Sequence, residues 1–140
     1  MMNSAIKLCL TCSGIFLLFG MIAGVVKYKQ IMKSPINRAS AYINIAHVAS
    51  FLYSFAALVM AELLKYSPYS LAKQMWMAGI PLFCFALTIG QYFRLGLENK
   101  TDNQFKEKNL TNTFGMDLII AGEIGGVSLI LWGFFKTQIF

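Results

Sequence analysis

The chain's single histidine, His47, is the residue whose type and position point most directly to chemistry. It lies inside an apolar stretch that begins near Ser40. An ionisable side chain within a membrane-spanning helix is costly and usually functional, and imidazole is the commonest protein ligand of metals and haem iron. A structural alternative is a hydrogen bond from the imidazole to a carbonyl of another helix. The sequence leaves both interpretations open.

Polar residues recur on one face of the helix that carries His47. At about 100° per residue, Asn44, His47, Ser50 and Ser54 fall on one broad side, and the opposite positions are mostly Ile, Val, Leu and Ala. Lipid cannot satisfy polar side chains, so this face should turn toward the other helices.

Further polar residues should reach the same depth of the bundle. The third apolar segment carries Cys84 and Thr88 near the end of the bundle that holds His47, whereas Glu123 of the fourth segment falls in the outer half. The candidate pocket residues are Asn44, Tyr53, Gln91, Tyr92, Asn112 and Asp117. Each has a simpler interpretation: Tyr92 as an interfacial aromatic, Asp117 as a partner of a helix dipole, and Glu123 as an interhelical partner or part of a proton path.

The composition places the chain in a membrane. Of 140 residues, 57% are apolar and 13% are charged, and the mean hydropathy is +0.60. In soluble domains about 45–50% of residues are apolar and roughly 25% are charged. The net charge of +6 suits juxtamembrane Lys and Arg facing an anionic leaflet, and no recognition module indicates nucleic acid binding.

Four apolar segments predict an all-α integral membrane four-helix bundle, a single domain over residues 1–140. The predicted helices cover about residues 5–27, 40–64, 71–95 and 113–136, with a polar loop over 96–112. Each is long enough for a hydrocarbon core of about 30 Å. The first apolar run is too long for the core of a signal peptide, so we expect it to remain an uncleaved helix. An open sheet edge cannot exist in lipid, which argues against strands.

Several small or reactive residues have more than one interpretation. Cys9 and Cys12 have the spacing of a redox or metal pair, but any i, i+3 pair shares a helix side, and packing is the simpler reading. The Gly20/Gly24 and Gly122/Gly126 pairs are close-approach motifs. They are compatible with contact within one chain or between chains.

The distribution of cations predicts the orientation. Eight Lys and Arg fall on one side: Lys27, Lys29, Lys33, Arg38, Arg94, Lys100, Lys106 and Lys108. Four fall on the other: Lys7, Lys65, Lys73 and Lys136. The positive-inside rule then puts the two basic loops in the cytoplasm and both termini outside, in what we expect to be a bacterial inner membrane.

The order of short motifs resembles the styrene oxide isomerase family and, more distantly, the hydroxylaminobenzene mutases. Arg38-Ala39 precedes the Ala46-His47 helix, and Gly90-Gln91-Tyr92-Phe93 closes the third helix. An Asn-rich loop follows, and residues 110–115, Leu-Thr-Asn-Thr-Phe-Gly, open the fourth. Tyr92 follows His47 by 45 residues, a separation that the family's key His and Tyr keep.

The resemblance implies a fold, a cofactor and a reaction. Family members are short four-helix membrane proteins in which haem b lies between the subunits of a homotrimer. The axial histidine maps onto His47, and a tyrosine that positions the substrate maps onto Tyr92. The reaction rearranges a small apolar epoxide to an aldehyde without net redox change, with ferric iron acting as a Lewis acid. The partners implied are a small apolar substrate, the lipid bilayer and further copies of the chain.

One position departs from the family pattern. The family has an asparagine two turns after the ligand histidine, where this chain has Tyr53. The change affects the expected substrate contact more than it affects haem binding. Two other hypotheses stay open: a non-catalytic membrane haem protein, and a small transporter or accessory membrane subunit that uses Glu123 or Asp117.

Overall fold

The computed structural model describes residues 2–106 and 110–139, with the side chains of residues 110–112 outside the description. Over these residues the chain is all-helical, as predicted. The helices are α1 (Ser4–Lys33), α2 (Ala41–Leu64), α3 (Leu71–Glu98) and α4 (Leu110–Gln138). Four segments of these helices are long and apolar enough to cross a membrane. The predicted multi-pass architecture is confirmed at this level.

The helix ends differ from the predicted ones by up to six residues, for local reasons. Helix α1 continues to Lys33 and ends where Ser34 adopts an extended conformation directly before Pro35, because a proline disfavours helical geometry in the residue that precedes it. Helix α3 continues to Glu98 and ends at Asn99, which is left-handed with φ 48°. Helix α4 begins at Leu110, so Asn112 lies within the helix.

Helices α2 and α3 form the centre of the arrangement. Helix α1 packs against α2 and α3, whereas α4 packs against α3 and α2, and the described parts of α1 and α4 are not in contact. At one end the Asn3 amide donates to Gln74 Oε1 at 2.7 Å. At the other end Gln30 accepts from Ser40 N at 2.9 Å and donates to Gly96 O at 3.1 Å. These bonds join neighbouring helix ends.

Two glycines allow α1 and α2 to approach closely. A Cβ on Gly20 would lie 3.0 Å from the Phe51 ring, and one on Gly24 would lie 2.9 Å from His47 Cε1. In the same α1–α2 contact, Ser13 Oγ donates to Ser54 O at 2.9 Å and Ser54 Oγ donates to Ser13 O at 2.8 Å. The Gly20/Gly24 motif therefore acts within the chain.

The contact between α3 and α4 is built around Pro81. Pro81 has no N–H, so the carbonyl of Met77 loses its usual helical donor. Gly126 packs against this point: a Cβ there would lie 2.6 Å from Pro81 Cδ and 2.8 Å from Met77 O. A Cβ on Gly122, one turn earlier, would lie 2.9 Å from Cys84 Sγ. The second glycine motif thus also serves intrachain packing, and α3 remains helical through Pro81.

We expect Gly126→Ala to destabilise the bundle and Gly125→Ala to leave it intact. The methyl group that alanine adds at position 126 would overlap the Pro81 ring, and overpacking costs about 1–3 kcal/mol. A Cβ on Gly125 would meet open space. Gly125→Ala is therefore a control that gains the same helix propensity without a clash. Unfolding titrations in detergent measure the difference. Equal stability of the two variants would contradict the contact.

Candidate functional site

The His47 imidazole is held by a backbone carbonyl of α1. Its Nδ1 lies 2.8 Å from Gly20 O. A carbonyl oxygen can only accept, so Nδ1 carries the proton and Nε2 of the neutral ring keeps its lone pair. The ring also makes an edge contact with Phe51 at 5.0 Å between centroids. The interhelical hydrogen bond predicted as one interpretation of His47 is present, and it leaves the other ring nitrogen available as a ligand.

The polar face of α2 turns inward, as predicted. Ser50 and Ser54 are buried, and Asn44 and His47 are half-buried. Ser50 Oγ donates to Ala46 O at 2.6 Å, one turn back along the same helix. Ser54 forms the reciprocal pair with Ser13 of α1. This face of α2 therefore belongs to the contact with α1.

Two tyrosines of α2 face the other two helices. The Tyr53 ring stacks on Phe85 at 4.1 Å and 12°, and its hydroxyl donates to Glu123 Oε1 at 3.5 Å. The Tyr42 ring stacks on Tyr92 at 5.9 Å and 22°. Tyr53 thus joins α2 to both α3 and α4 and lies next to the carboxylate of Glu123.

A cavity of about 670 Å³ lies between α3 and α4. Its size is within the range of about 300–1,000 Å³ that is typical of small-molecule sites. Most of its wall is apolar, and the polar side chains come mainly from α3. The lining consists of Phe83, Cys84, Leu87, Thr88, Gln91, Tyr92, Arg94, Gln104, Phe105, Gly115, Met116, Leu118 and Ile119.

The start of the loop after α3 closes one end of this cavity. Asn103 Oδ1 accepts from Phe105 N at 2.9 Å, and Thr101 Oγ1 accepts from Asn103 N at 3.1 Å, two side-chain turns typical of Asn and Thr. The Gln104 N–H then donates to the Tyr42 hydroxyl at 2.6 Å. Tyr42 therefore positions Gln104 and Phe105 on the cavity wall.

The structure groups some of the predicted site residues and separates others. Gln91 and Tyr92 line the cavity, whereas His47 contacts Gly20, Gly24 and Phe51 on the α1 side. Within one chain, His47 and Tyr92 thus have different neighbours.

The remaining candidates lie elsewhere. Asp117 is exposed, and the side chain of Asn112 lies outside the described residues. Cys9 and Cys12 are free thiols, with Cys9 buried. No cluster of three or more His, Cys, Asp or Glu side chains occurs in the part of the chain that the structure describes. A metal held by protein ligands alone therefore has no support there.

Sequence reasoning missed Tyr42, Gln104 and Phe105. Tyr42 lies three turns before Tyr53 on the same helix face, so periodicity could have paired them. The Thr101-Asp102-Asn103 run is typical of a turn. Neither signal shows that the loop folds back onto α2, because that contact joins residues 62 positions apart.

Comparisons with protein-family models, with curated proteins and with solved structures find no match.

We expect Tyr42→Phe to loosen the loop segment over residues 101–106. The change keeps the ring stacked on Tyr92 but removes the acceptor of the Gln104 N–H, a bond worth about 1 kcal/mol. Trypsin cleavage after Lys100 and Lys106 in protein reconstituted in nanodiscs should become roughly fivefold faster. Tyr28→Phe, on an exposed ring of α1, is the matched control. Unchanged cleavage in Tyr42→Phe would contradict this role.

Proposed function

We propose that the chain is a membrane-embedded haem b isomerase, which rearranges a small apolar epoxide to an aldehyde without net redox change. His47 would hold the haem iron through Nε2. The observation that carries the proposal is the 2.8 Å hydrogen bond between His47 Nδ1 and Gly20 O. Ligating imidazoles almost always donate their other N–H to a carbonyl or carboxylate, which sets the tautomer and orients the ring.

The surroundings of His47 suit this role. Gly24 faces the ring with no side chain, and the Phe51 ring packs edge-on against it. Both contacts restrict rotation of the imidazole, so Nε2 has a defined direction. Ala46 and Ile43, on the same helix, are fully buried.

Haem iron, when bound, supplies a Lewis acid for an epoxide oxygen. The chain's own residues bind and orient the substrate. Tyr92 offers a hydroxyl on the wall of a mostly apolar cavity, and Phe83 and Leu87 on the same wall favour an apolar substrate. A dry site of this kind protects a reactive intermediate from hydrolysis.

A second copy of the chain would complete the site. His47 faces α1 and Tyr92 faces Tyr42 and the α3–α4 cavity, so a site that uses both side chains draws on two chains. The outward surfaces of α1 and α4 are rich in exposed apolar residues, among them Leu18, Met21, Ile124 and Leu129. They offer surfaces for homo-oligomer contacts, and we take the assembly to be the trimer that the resemblance implies.

The distribution of Lys and Arg supports the orientation that we propose for the chain in the membrane. Gln30 of α1 is hydrogen-bonded to Ser40, before α2, and to Gly96, near the end of α3. Lys33 and Arg38 therefore lie at the same end of the bundle as Arg94 and Lys100. The excess of cations at this end supports a cytoplasmic position in a bacterial inner membrane, with both termini outside.

The experiment that tests the proposal is absorption spectroscopy followed by turnover. Protein expressed with ample haem and purified in detergent should show a Soret band, and His47→Ala should remove it. Val48→Ala is the matched control, since Val48 is exposed on the same helix. Tyr92→Phe should keep the band and lower the conversion of styrene oxide about tenfold, because one positioned hydrogen bond is worth about 1.4 kcal/mol.

A colourless protein, or a band that survives His47→Ala, would exclude this assignment. A His47-dependent band without turnover of any aryl epoxide would instead identify a non-catalytic haem protein. Restoration of the band in His47→Gly by added imidazole would show that the loss comes from the missing ligand and not from misfolding.

A second candidate function, proton-coupled transport, has one observation in its favour. Glu123 is a half-buried carboxylate near the middle of α4, next to the Tyr53 hydroxyl. Carboxylates inside membrane spans commonly mark substrate or proton paths.

If the protein is a transporter, Glu123→Gln should abolish proton-coupled uptake in proteoliposomes while His47→Ala retains it. Glu62→Gln is the control, because Glu62 is an exposed carboxylate paired with Lys65 at the end of α2. Retained uptake in Glu123→Gln would rule out this function.

A further inference from the structure

A lysine lies on the face of α1 that contacts α2, close to the level of His47. Lys27 follows Gly20 by seven residues and Gly24 by three, so helical periodicity places all three on the same side of α1. Lys27 is half-buried, whereas Lys29, two residues further along, is exposed. The face of α1 that meets α2 therefore includes a cation.

Two contacts fix the level of Lys27 against α2. On one side of it, a Cβ on Gly24 would lie 2.9 Å from His47 Cε1. On the other side, Gln30 accepts from the N–H of Ser40, the residue that precedes α2. Because Lys27 is midway between Gly24 and Gln30, it lies opposite the turn of α2 that comes directly before His47.

The turn of α2 opposite Lys27 is polar but carries no anion. Asn44 belongs to this turn and is half-buried on the same helix face as His47. Among the described residues, no carboxylate forms an ion pair with the Lys27 ammonium. A half-buried cation at the border of a membrane span is costly without an anion. The site beside His47 therefore lacks a negative charge that a ligand could supply.

Haem has the distribution of charge that this site lacks. Its iron lies at the centre of an apolar ring, and its two propionate carboxylates project from one edge. The apolar part of such a ring favours hydrocarbon, whereas carboxylates favour the level of the lipid headgroups. Lys27 lies about one turn nearer than His47 to the end of α1 at Lys33, which is the end of the bundle with the two basic loops. Iron at His47 and a carboxylate at Lys27 are thus compatible with one orientation of the ring.

We propose that the Lys27 ammonium pairs with a haem propionate, so that the propionate edge of the ring faces the basic loops. The inference rests on the proposed function, in which His47 would hold the iron. In the alternative arrangement the flexible side chain of Lys27 extends to water or lipid headgroups and takes no part in binding.

The test compares two porphyrins that differ only in the carboxylates. Full-length protein, purified in detergent from haem-limited cells, is titrated with ferric haem and with ferric haem dimethyl ester, and the Soret band reports binding. The ester keeps the ring and the iron but has no propionate charge. Lys29→Gln is the matched control for Lys27→Gln, because it removes the same charge from an exposed position of the same helix. Each porphyrin is compared between proteins, so its partition into detergent cancels.

We expect Lys27→Gln to weaken the binding of haem about tenfold and to leave the binding of the dimethyl ester unchanged, because the charge-assisted bond exists only with a carboxylate. Unchanged binding of the ester also shows that the Lys27→Gln protein is folded. Lys27→Arg should keep most of the affinity for haem, and Lys29→Gln should bind both porphyrins as the unmodified chain does.

Three results would overturn the inference while leaving the proposed function in place. Equal losses for haem and for the ester in Lys27→Gln would show that Lys27 supports packing only. Equal effects of Lys27→Gln and Lys29→Gln on haem would show a diffuse attraction by the basic end of the bundle. No effect of either variant would show that the Lys27 ammonium extends to water. A Soret band that requires His47 remains in all three cases, whereas its absence from every protein would overturn the haem assignment and this inference together.

Discussion

The close contact of α1 with α2 is the constraint on which the rest of the arrangement depends. Lipid tails are as apolar as leucine, so helices in a bilayer associate through close packing and interhelical hydrogen bonds. Here Gly20 and Gly24 make room for the rings of Phe51 and His47, and Ser13 and Ser54 exchange two hydrogen bonds. Since this contact uses the polar face of α2, it leaves the face with Tyr42 and Tyr53 for α3 and α4.

Helix α2 therefore has two packing faces with polar contacts. On one, His47 donates to a carbonyl and keeps Nε2 available as a ligand. On the other, Tyr53 and Tyr42 connect to Glu123 and to the α3–α4 cavity through Phe85 and Tyr92. The partner of Tyr53 on this second face is a carboxylate 70 residues away along the chain.

The sequence was sufficient for the number and type of helices, because hydropathy and length depend only on local composition. It also identified the inward face of α2, since 3.6-residue periodicity shows which residues share a side. It could not show which neighbour each face meets. The sequence places His47 and Tyr92 at a similar depth along their helices, but depth does not specify the rotation of each helix. The cavity could not be predicted from the sequence either, because its wall combines α3, α4 and a loop that folds back onto Tyr42.

The pairing of Pro81 with Gly126 has a consequence for how the protein enters the membrane. Helix α3 is the least hydrophobic of the four spans, and its proline leaves the Met77 carbonyl without its usual helical donor. Alone in hydrocarbon, such a segment would expose a polar group to lipid. Gly126 of α4 packs against this carbonyl. Helices α3 and α4 are thus suited to enter the membrane together as a hairpin, in which this carbonyl is covered from the start.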